Sequence, residues 1–418
     1  MIREPGADLV FRGARLAEQE GLVDIAVSGS RIAAIGPHYP GAAAMERAAE
    51  GMLATTPFID AHHHLDCAYL SHPPNVSGTL EEAIRINAEV KPRRSPLEVR
   101  RNACRALEQA LLHGTGWIRS HVDIDSVSGL RLLAPVLEAK EEFRGRVDVQ
   151  IVAFPQLGLV RDSESIGLMR AALREGAQVV GGMPHGEASR QDAARHIDLA
   201  LEIAQEYDVD VDMHIDETDD PASRTLELLA EATIREGYQG RVTAGHCCAL
   251  AAYPDDLARR VIERVAEAGI HVVTNPLSNL YLQGRHDRQP VRRGITRVRE
   301  LLAAGVNVAC GLDDVGNIFF PFGRMDMLEV AMITAVAAHL TTPEEIETAF
   351  DMPRHRAARA LRLTGYGLRA GAAADFLLLD AGSAAEALQR QPARRLVVRG
   401  GRIVAETVTE ARLPAPIG

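Results

Sequence analysis

The sequence predicts an α/β fold, a (β/α)₈ TIM barrel with a small β-sandwich domain formed from both termini. Three observations support this prediction. Short apolar runs alternate with longer segments of helical period through most of the 418 residues, similar hairpin patterns occur near both ends, and a polar residue follows each run. We therefore predict that residues 1–55 and 366–418 form the β-domain and that residues 56–365 form the barrel.

The barrel prediction depends on the spacing of eight apolar runs. The segments between them, such as SPLEVRRNACRALEQALLHG and RQDAARHIDLALEIAQEYD, carry apolar residues at helical spacing. Strands that alternate with helices in this way are typical of a parallel sheet that closes into a barrel. The predicted strands are 56–59, 117–122, 147–154, 179–183, 209–213, 242–245, 270–274 and 306–312.

Two hairpin patterns define the terminal β-domain. VDIAVSGSRIAAIG alternates apolar residues around a turn at 28–30, and RRLVVRGGRIVAE does the same around a turn at 399–401. Small residues that tolerate positive φ at the centre of such a pattern are typical of tight hairpin turns. DLVFRGARL and ADFLLLD supply further short strands, so we expect one β-domain built from both ends.

The composition excludes several classes of partner. The chain has 46 Lys and Arg against 57 Asp and Glu, a net charge of −11, which argues against nucleic acid or an anionic membrane as its main partner. The opening segment MIREPGADLVFRGARLAEQE breaks its apolar runs with charges, unlike a signal peptide. The apolar stretch 328–340 is too short to span a bilayer. We expect a cytoplasmic protein that binds a small molecule, with five cysteines present as buried free thiols.

Each predicted strand ends in a polar or ionisable residue. In a barrel of this type the carboxyl ends of the strands meet at one rim, and catalytic groups sit there. Histidines scattered over a surface would not fall into this register. In chain order the rim residues are His62 and His64, His121 and Asp123, Gln156, His185 and Glu187, His214 and Glu217, His246, Asn275, and Asp313 and Asp314.

The pair His62-x-His64 predicts a metal site. Alternate residues of an extended segment point to the same side, so these two imidazoles face one way and His63 faces the other. His214 and Asp313 across the barrel mouth complete a set of three nitrogens and one carboxylate. Such a set favours Zn²⁺ or Fe²⁺ over Ca²⁺ or Mg²⁺, and a bound divalent ion lowers the pKa of a water from 15.7 to about 7.

Two further rim residues fit hydrolytic chemistry. Glu217, three residues after His214, is placed to shuttle protons, and His246 can hold or polarise the bound water or the substrate. Each rim residue also has a plain structural explanation. An isolated H-x-H is weak evidence, a histidine in a strand is usually a satisfied core residue, and the Asp pair at 313–314 fits a helix cap. Their joint placement at the strand ends favours the metal site.

The H-x-E triplet at 185–187 needs a separate interpretation. It matches the start of the signature of zinc deaminases that act on cytidine and on cytosine in nucleic acids. That signature continues with P-C-x-x-C, which this chain lacks, since Cys247 and Cys248 are adjacent. We therefore exclude that class and interpret the triplet as scaffolding of the rim.

Several segments carry motifs more specific than a shared barrel would produce, namely DAHHHLD, SGTLEEAI, RSHVDID, DVQIVAFPQ, MHIDETDD, RVTAGHC, NPLSNLYLQGR, RRGITRVRELLAAGVNV and GLDDV. Through them the chain resembles the bacterial cytosine deaminase family of the amidohydrolase superfamily along nearly its whole length. The resemblance implies a homo-oligomer with one divalent metal ion, Zn²⁺ or Fe²⁺, in each chain. The implied ligands are His62, His64, His214 and Asp313.

The resemblance also implies roles for the remaining rim residues. Gln156 would read the N–C=O edge of a ring, and Glu217 would protonate a ring nitrogen. His246 would orient the attacking hydroxide, and Asp313 would accept its proton. Asp314 would lie near the departing amine. No carboxylated lysine is expected, because no lysine ends the fourth strand.

Leu80 and Phe319 complete the substrate contacts that the resemblance implies. Leu80, in SGTLEEAI, would lie beside the substrate through its backbone. The family carries an aromatic wall dominated by a tryptophan after the Asp pair. This chain has GNIFFPFGRMDML there, with Phe319 and Phe320, and its only tryptophan is Trp117. A phenylalanine stacks on a flat heterocycle with a smaller face, which suggests a different or wider ring.

These features predict hydrolytic deamination of cytosine or a closely related amino-substituted nitrogen heterocycle, with release of ammonia. The alternatives are deamination of another ring, such as isocytosine, creatinine or an aminotriazine like N-isopropylammelide, and ring-opening hydrolysis of a cyclic amide. The pair Gln156 and Glu217 favours a cytosine-like amidine edge. A non-catalytic binding barrel predicts a missing ligand or acid, and the sequence retains both.

Overall fold

The chain divides into two units, and both of its ends belong to the same one. The structure is a computed structural model that describes residues 6–17, 19–410 and 412–413. The terminal unit comprises residues 1–57, 111–114 and 365–418, and the barrel unit comprises residues 58–110 and 115–364. These limits lie at 57 and 365, where the sequence predicts 55 and 366.

The terminal unit contains one eight-stranded sheet. Its strands are β1 (Ala7–Leu16), β2 (Gln19–Ser28), β3 (Arg31–Gly36), β4 (Ala43–Ala48), β5 (Leu53–Thr55), β14 (Phe376–Leu379), β15 (Arg394–Arg399) and β16 (Arg402–Glu406). They are ordered β16-β15-β14-β5-β1-β2-β3, and β4 also pairs with β1. The rings of Phe11 and Phe376 meet edge to face in its core, with centroids 5.0 Å apart.

Both predicted hairpins are present in this sheet. β2 pairs antiparallel with β3, and β15 pairs antiparallel with β16. Each connection is two residues long. Gly400 and Gly401 have φ of 53° and 76°, a conformation that glycine adopts without strain in a tight hairpin turn.

The barrel unit contains eight parallel strands in consecutive order. They are β6 (Phe58–His63), β7 (Thr115–Asp123), β8 (Asp148–Phe154), β9 (Val179–Gly182), β10 (Asp210–Ile215), β11 (Val242–His246), β12 (His271–Thr274) and β13 (Val308–Cys310). Each of the eight predicted runs overlaps a strand, and the prediction of a (β/α)₈ barrel with a β-domain formed from both termini is confirmed.

The barrel closes where its last strand meets its first. Asp313 N donates to His62 O at 2.8 Å, and His64 N donates to Asp313 O at 3.0 Å. Leu312 N donates to Oδ1 of the buried Asp60 at 2.9 Å. The closing seam therefore consists of the same short segments that the sequence predicts to carry metal ligands.

The helices that follow the strands bring further side chains to the rim. The first begins after Thr79, whose hydroxyl accepts a hydrogen bond from Glu82 N at 3.2 Å, a typical N-cap. The helices are α1 (Leu80–Val90), α2 (Pro96–Leu112), α3 (Leu133–Phe143), α4 (Glu164–Glu175), α5 (Arg190–Tyr207), α6 (Thr225–Arg235), α7 (Asp255–Glu267), α8 (Pro276–Leu282), α9 (Val298–Ala303), α10 (Met327–Ala338), α11 (Pro343–Asp351), α12 (Ala357–Ala360) and α13 (Ala384–Arg390).

Two expectations from composition concern the whole described chain. Within residues 6–17, 19–410 and 412–413, no helix is long and apolar enough to cross a bilayer. All five cysteines are free thiols, and four of them are buried, whereas Cys104 is partly exposed.

A glycine in β11 leaves room for the His62 ring. A Cβ added to Gly245 would lie 2.9 Å from His62 Cε1 and 3.0 Å from His62 Nδ1. We predict that Gly245→Ala destabilises the barrel by about 1–3 kcal/mol, because the imidazole or the strand must shift. Thermal unfolding measures this loss.

The matched control is Gly167→Ala in α4, where an added Cβ meets nothing within 4 Å. Alanine in a helix is more stable than glycine by about 0.5–1 kcal/mol, so this variant should unfold at the same temperature as the wild type or higher. A Gly245→Ala protein that unfolds with its control would show that the ring moves aside without cost.

Candidate metal centre and ring pocket

Three imidazoles and one carboxylate converge at the carboxyl end of the barrel. His62 is in β6, His64 follows that strand, His214 is in β10 and Asp313 follows β13. His214 Nε2 lies 3.2 Å from His62 Nε2 and 3.0 Å from His64 Nε2. Asp313 Oδ1 lies 3.4 Å from His62 Nε2 and 3.6 Å from His64 Nε2. The structure thus brings together all four ligands that the sequence predicts.

The spacing of these four atoms fits a tetrahedral metal ion. Ligand atoms at about 2.0–2.1 Å from such an ion lie about 3.3 Å from one another, close to the distances observed here. All four side chains are buried, and one ligand atom from each lies within 4.8 Å of the others. Nitrogen lone pairs that converge in a buried place need a cation or a proton between them. The cluster can therefore hold a divalent metal.

Electrostatics favour the ligand forms of two of these groups. Burial and the neighbouring imidazoles, His62 first, hold the pKa of His214 well below its usual value, so this ring is neutral. Burial would raise the pKa of Asp313, but His246 and His62 lower it, so this carboxylate is ionised. At His64 the two effects are reversed. Burial alone would lower the pKa of this imidazole, but nearby carboxylates, led by Asp314, raise it.

Left-handed backbone occurs at three positions of the rim. Asp216, His246 and Asp313 have φ of 47°, 67° and 73°, although none is glycine. Such conformations cost about 1–3 kcal/mol each and concentrate at functional sites, where the surrounding structure holds them in place. At Asp313 the backbone bonds of the closing seam do so.

Glu217 lies just beyond β10, in the same cavity as the metal ligands. The loop that carries it is anchored by Asp216, whose carboxylate accepts hydrogen bonds from Thr225 N at 3.0 Å and Leu226 N at 2.9 Å. Burial first, and then the carboxylates at 313 and 314, raise the pKa of Glu217 well above its usual value. These surroundings therefore favour the neutral form of Glu217, which can give a proton.

His246 ends β11 and contacts Glu217 and two asparagines. Its Nδ1 lies 3.3 Å from Glu217 Oε1, 3.1 Å from Asn279 Nδ2 and 3.3 Å from Asn275 Nδ2. Burial lowers the pKa of His246 well below its usual value, so the ring is neutral. Asn275 was predicted at a strand end without a role, and Asn279 was not predicted. Their spacing of four residues across the start of α8 is the signal that both face one side.

Gln156 lies in the turn after β8 and lines the same cavity as Glu217. Its Oε1 accepts hydrogen bonds from Asn87 Nδ2 at 2.7 Å and from Lys91 Nζ at 3.1 Å. Both partners belong to the end of α1 and the turn after it, and the sequence analysis identified neither. Asn87 and Lys91 are one helical turn apart, which places them on the same side of the chain.

Asp314 and Phe319 line the narrow cavity beside the metal ligands, together with Leu80 at the start of α1. Asp314 Oδ1 accepts a hydrogen bond from Asn317 Nδ2 at 2.5 Å, and burial together with Asp313 raises the pKa of Asp314 to about 7. The neighbouring aromatic at 320 packs elsewhere, with its ring centroid 5.8 Å from that of Tyr281.

A wider cavity of about 790 Å³ adjoins the narrow one. The two cavities share four lining residues, Leu80, Ile84, Met183 and Glu217, and are therefore neighbours at the position of the acid. The narrow cavity is about 30 Å³ by the same measure, which leaves the wider one as the only large space among the described cavities that touches Glu217.

Two sets of predicted rim residues lie outside the metal cluster. His63 faces away from it, with its Nδ1 3.4 Å from Asp60 Oδ2. Glu187, from the H-x-E triplet, accepts backbone hydrogen bonds from Leu159 and Val160 at 2.9 and 3.0 Å and lies 2.7 Å from His196 Nδ1. Glu187 therefore ties the loop after β8 to α5.

A buried polar layer lies beneath the ligands inside the barrel, and the sequence analysis assigned it no role. The rings of His121 and His62 have centroids 4.1 Å apart. His121 Nε2 lies 3.4 Å from Asp212 Oδ1, and Asp212 Oδ2 accepts a hydrogen bond from Arg119 Nη1 at 2.8 Å. Side chains of alternate residues in a strand point to the same face, so Arg119 and His121 of β7 both face the barrel interior. This spacing is visible in the sequence.

Comparison with known proteins gives relatives that match nearly the whole chain. N-isopropylammelide isopropyl amidohydrolase of Pseudomonas sp. strain ADP is 32% identical over 405 residues, which cover 95% of this chain and 97% of that protein. Pterin deaminase of Rhizobium rhizogenes is 31% identical over 401 residues, which cover 94% and 90%.

A crystal structure of 5-methylcytosine deaminase from Klebsiella pneumoniae with 5-fluorocytosine superposes on this chain with a TM-score of 0.93. The two sequences are 34% identical, and the match covers 97% of this chain and 100% of the other. The sequence model of the amidohydrolase family matches residues 46–405, which include every ligand of the metal centre. This chain belongs to the amidohydrolase family.

Proposed function

We propose that this protein hydrolytically deaminates cytosine or a closely related amino-substituted nitrogen heterocycle and releases ammonia. The observation that carries the proposal is the placement of two buried carboxyl groups, Glu217 and Asp313, in one cavity with His64 and His214, where the surroundings raise the pKa of Glu217 and lower the pKa of Asp313. Hydrolysis of a ring amine needs an acid for the ring nitrogen and a base for the attacking water. Pairs of titratable groups whose surroundings push their pKa values apart are typical of such acid and base assignments.

A single divalent ion, Zn²⁺ or Fe²⁺, would be held by His62, His64, His214 and Asp313. Bound there, it would supply a nucleophilic water at neutral pH. Three nitrogens and one carboxylate suit both of these metals.

The side chains around the cavity divide the remaining work. Asp313 takes the proton of the attacking water, and Glu217 gives its proton to the ring nitrogen beside the carbon that loses the amine. His246, neutral and 3.3 Å from Glu217 Oε1, orients the water. The departing amine takes up the proton that Asp313 accepted and leaves as ammonia, while the proton of the new hydroxyl group returns to Glu217 as the ring carbonyl forms. Asp314, which lines the same cavity, lies near the departing amine.

The other side of the cavity supports a flat heterocycle. Phe319 and Leu80 provide apolar surface against which a ring can pack. Gln156 and Glu217 both line this cavity, so a ring bound there can meet an amide as well as an acid. Cytosine, with a ring carbonyl next to an amidine, offers both edges.

A second candidate is deamination of a larger or substituted ring. The cavity of about 790 Å³ that joins the catalytic one at Glu217 favours this candidate, because it leaves room for a fused ring or a side group. The relatives named as pterin deaminase and N-isopropylammelide isopropyl amidohydrolase agree with such substrates. Ring-opening hydrolysis of a cyclic amide differs from both candidates in releasing no ammonia.

We expect ammonia release from cytosine by protein loaded with Zn²⁺ or Fe²⁺. A panel of cytosine, 5-methylcytosine, isocytosine, pterin, N-isopropylammelide and creatinine, assayed for free ammonia or amine, separates the candidates. Turnover of a cyclic amide, together with no release of ammonia or amine from any amino-heterocycle of the panel, would contradict deamination and favour the ring-opening reaction.

Removal of the metal should abolish this activity. We predict that His214→Asn loses at least about 10-fold in metal affinity, because one of four ligands disappears. Metal content after dialysis measures this loss. His38→Asn is the matched control, because His38 is an exposed histidine of the terminal unit. Equal metal content in the two variants would rule out His214 as a ligand.

Glu217→Gln should lower kcat by about 100- to 10,000-fold, because an amide cannot give the ring nitrogen a proton. Glu231→Gln replaces an exposed glutamate of α6 and should keep wild-type turnover. Steady-state ammonia release measures both variants. Full turnover by Glu217→Gln would remove the acid from the mechanism and with it both deamination candidates.

A further inference from the structure

A chain of buried polar side chains leads from α1 to Gln156. Arg94 Nη2 donates to Asn87 Oδ1, and Asn87 Nδ2 donates to Gln156 Oε1 at 2.7 Å. Lys91 Nζ donates to the same Gln156 Oε1 at 3.1 Å. Arg94, Asn87 and Lys91 are all buried, so water does not compete for these hydrogen bonds.

The two cations determine which way both amides point. Arginine and lysine only donate hydrogen bonds, whereas an amide can donate from its nitrogen or accept at its oxygen. Asn87 must turn its oxygen to Arg94 and therefore its nitrogen to Gln156. Gln156 must then turn its oxygen to Asn87 and Lys91. Both lone pairs of that oxygen are engaged, so only the Nε2 donors of Gln156 remain for the cavity.

The cations themselves are held in place. Lys91 Nζ lies 2.8 Å from Asp123 Oδ2 and 2.6 Å from Asp125 Oδ2. Arg131 donates to Lys91 O at 2.9 Å and to Arg94 O at 2.6 Å. The turn after α1 therefore cannot rotate to offer Gln156 an acceptor in place of a donor.

We propose that Asn87 and Lys91 are positioning residues that make Gln156 a donor-only reader of the substrate. The substrate must then present an acceptor to Gln156, either a ring carbonyl or an unprotonated ring nitrogen. A ring with an amino group at this edge is rejected, because two donors face each other in a buried place. This inference rests on the proposed function and narrows it to rings that present a hydrogen-bond acceptor, a carbonyl or an unprotonated nitrogen, to Gln156.

The test uses a variant that reverses the orientation of the Gln156 amide. We call the hydrogen-bonded chain Arg94, Asn87, Lys91 and Gln156 the relay. In Asn87→Asp, the new carboxylate accepts from Arg94 and also attracts the N–H of Lys91 that pointed at Gln156. Both donors to Gln156 Oε1 are then lost, so the Gln156 amide turns its nitrogen toward residue 87 and its oxygen toward the cavity. We expect KM for cytosine to rise by about 10- to 100-fold, the loss that accompanies an unpaired buried polar group, with a smaller change in kcat. The ratio of kcat/KM for 2,4-diaminopyrimidine to that for cytosine should rise.

Two further variants distinguish a change in the orientation of the Gln156 amide from an effect of the added charge or a loss of the fold. Asn87→Leu removes both hydrogen bonds of residue 87 without adding a charge, so discrimination between the two rings should weaken without reversing. Gln389→Glu adds the same charge at an exposed position of α13 and should leave the ratio unchanged. Metal content and thermal unfolding identify any variant that has lost its fold.

Direct binding distinguishes failure of this inference from failure of the proposed function. Pyrimidin-2-one and 2-aminopyrimidine carry no amine at the reacting carbon, so calorimetry measures their binding without turnover. Wild-type protein should prefer pyrimidin-2-one, and Asn87→Asp should lose that preference. An unchanged ratio of Kd values in folded Asn87→Asp would overturn the relay, whatever the ammonia assay shows. Absence of ammonia together with a reversed ratio would overturn only the proposed reaction.

Discussion

Two backbone hydrogen bonds, between Asp313 and residues 62 and 64, close the barrel and at the same time set the spacing of its metal ligands. Ligands that are distant in sequence are therefore positioned by main chain. The left-handed conformation of Asp313 persists because the same seam holds it. Gly245 leaves space for the His62 ring at this place. A site built on strand ends is more rigid than one built on free loops, and here the rigidity comes from barrel closure itself.

The electrostatic arrangement follows from how this seam crowds carboxyl groups together. Asp313 stays ionised because imidazoles surround it, and its charge helps to keep Glu217 protonated. On the opposite wall the buried cation Lys91 lies between two aspartates and contacts Gln156. The two edges of the cavity therefore differ in their hydrogen-bonding character before any substrate enters. Such preorganised polarity in a buried place costs no rearrangement when charge develops during reaction.

The parts of the site that follow from local periodicity were predictable from sequence. Alternation along a strand placed His62 and His64 together, and the register of strand ends brought Gln156 and His246 to the same rim. Asn279 and Lys91 were not predictable in this way, because Asn279 reaches His246, and Lys91 reaches Gln156, from helical turns whose rotation depends on packing. The loop after Asp313 is a similar case. Its two adjacent phenylalanines separate because Asn317 Oδ1 binds the backbone of Phe319 at 2.9 Å, and no periodic pattern encodes that turn.

The terminal sheet is built from strands that are far apart in sequence, and this has a consequence for biosynthesis. β5 pairs with β14, and the barrel unit lies between them in sequence. At about 5–20 residues per second, on the order of half a minute separates the synthesis of these two strands. During that interval β5 has an open edge on the side that β14 later covers, and open edges invite pairing with other chains. The sheet made from the two ends is therefore completed last, after the chain of the barrel has already left the ribosome.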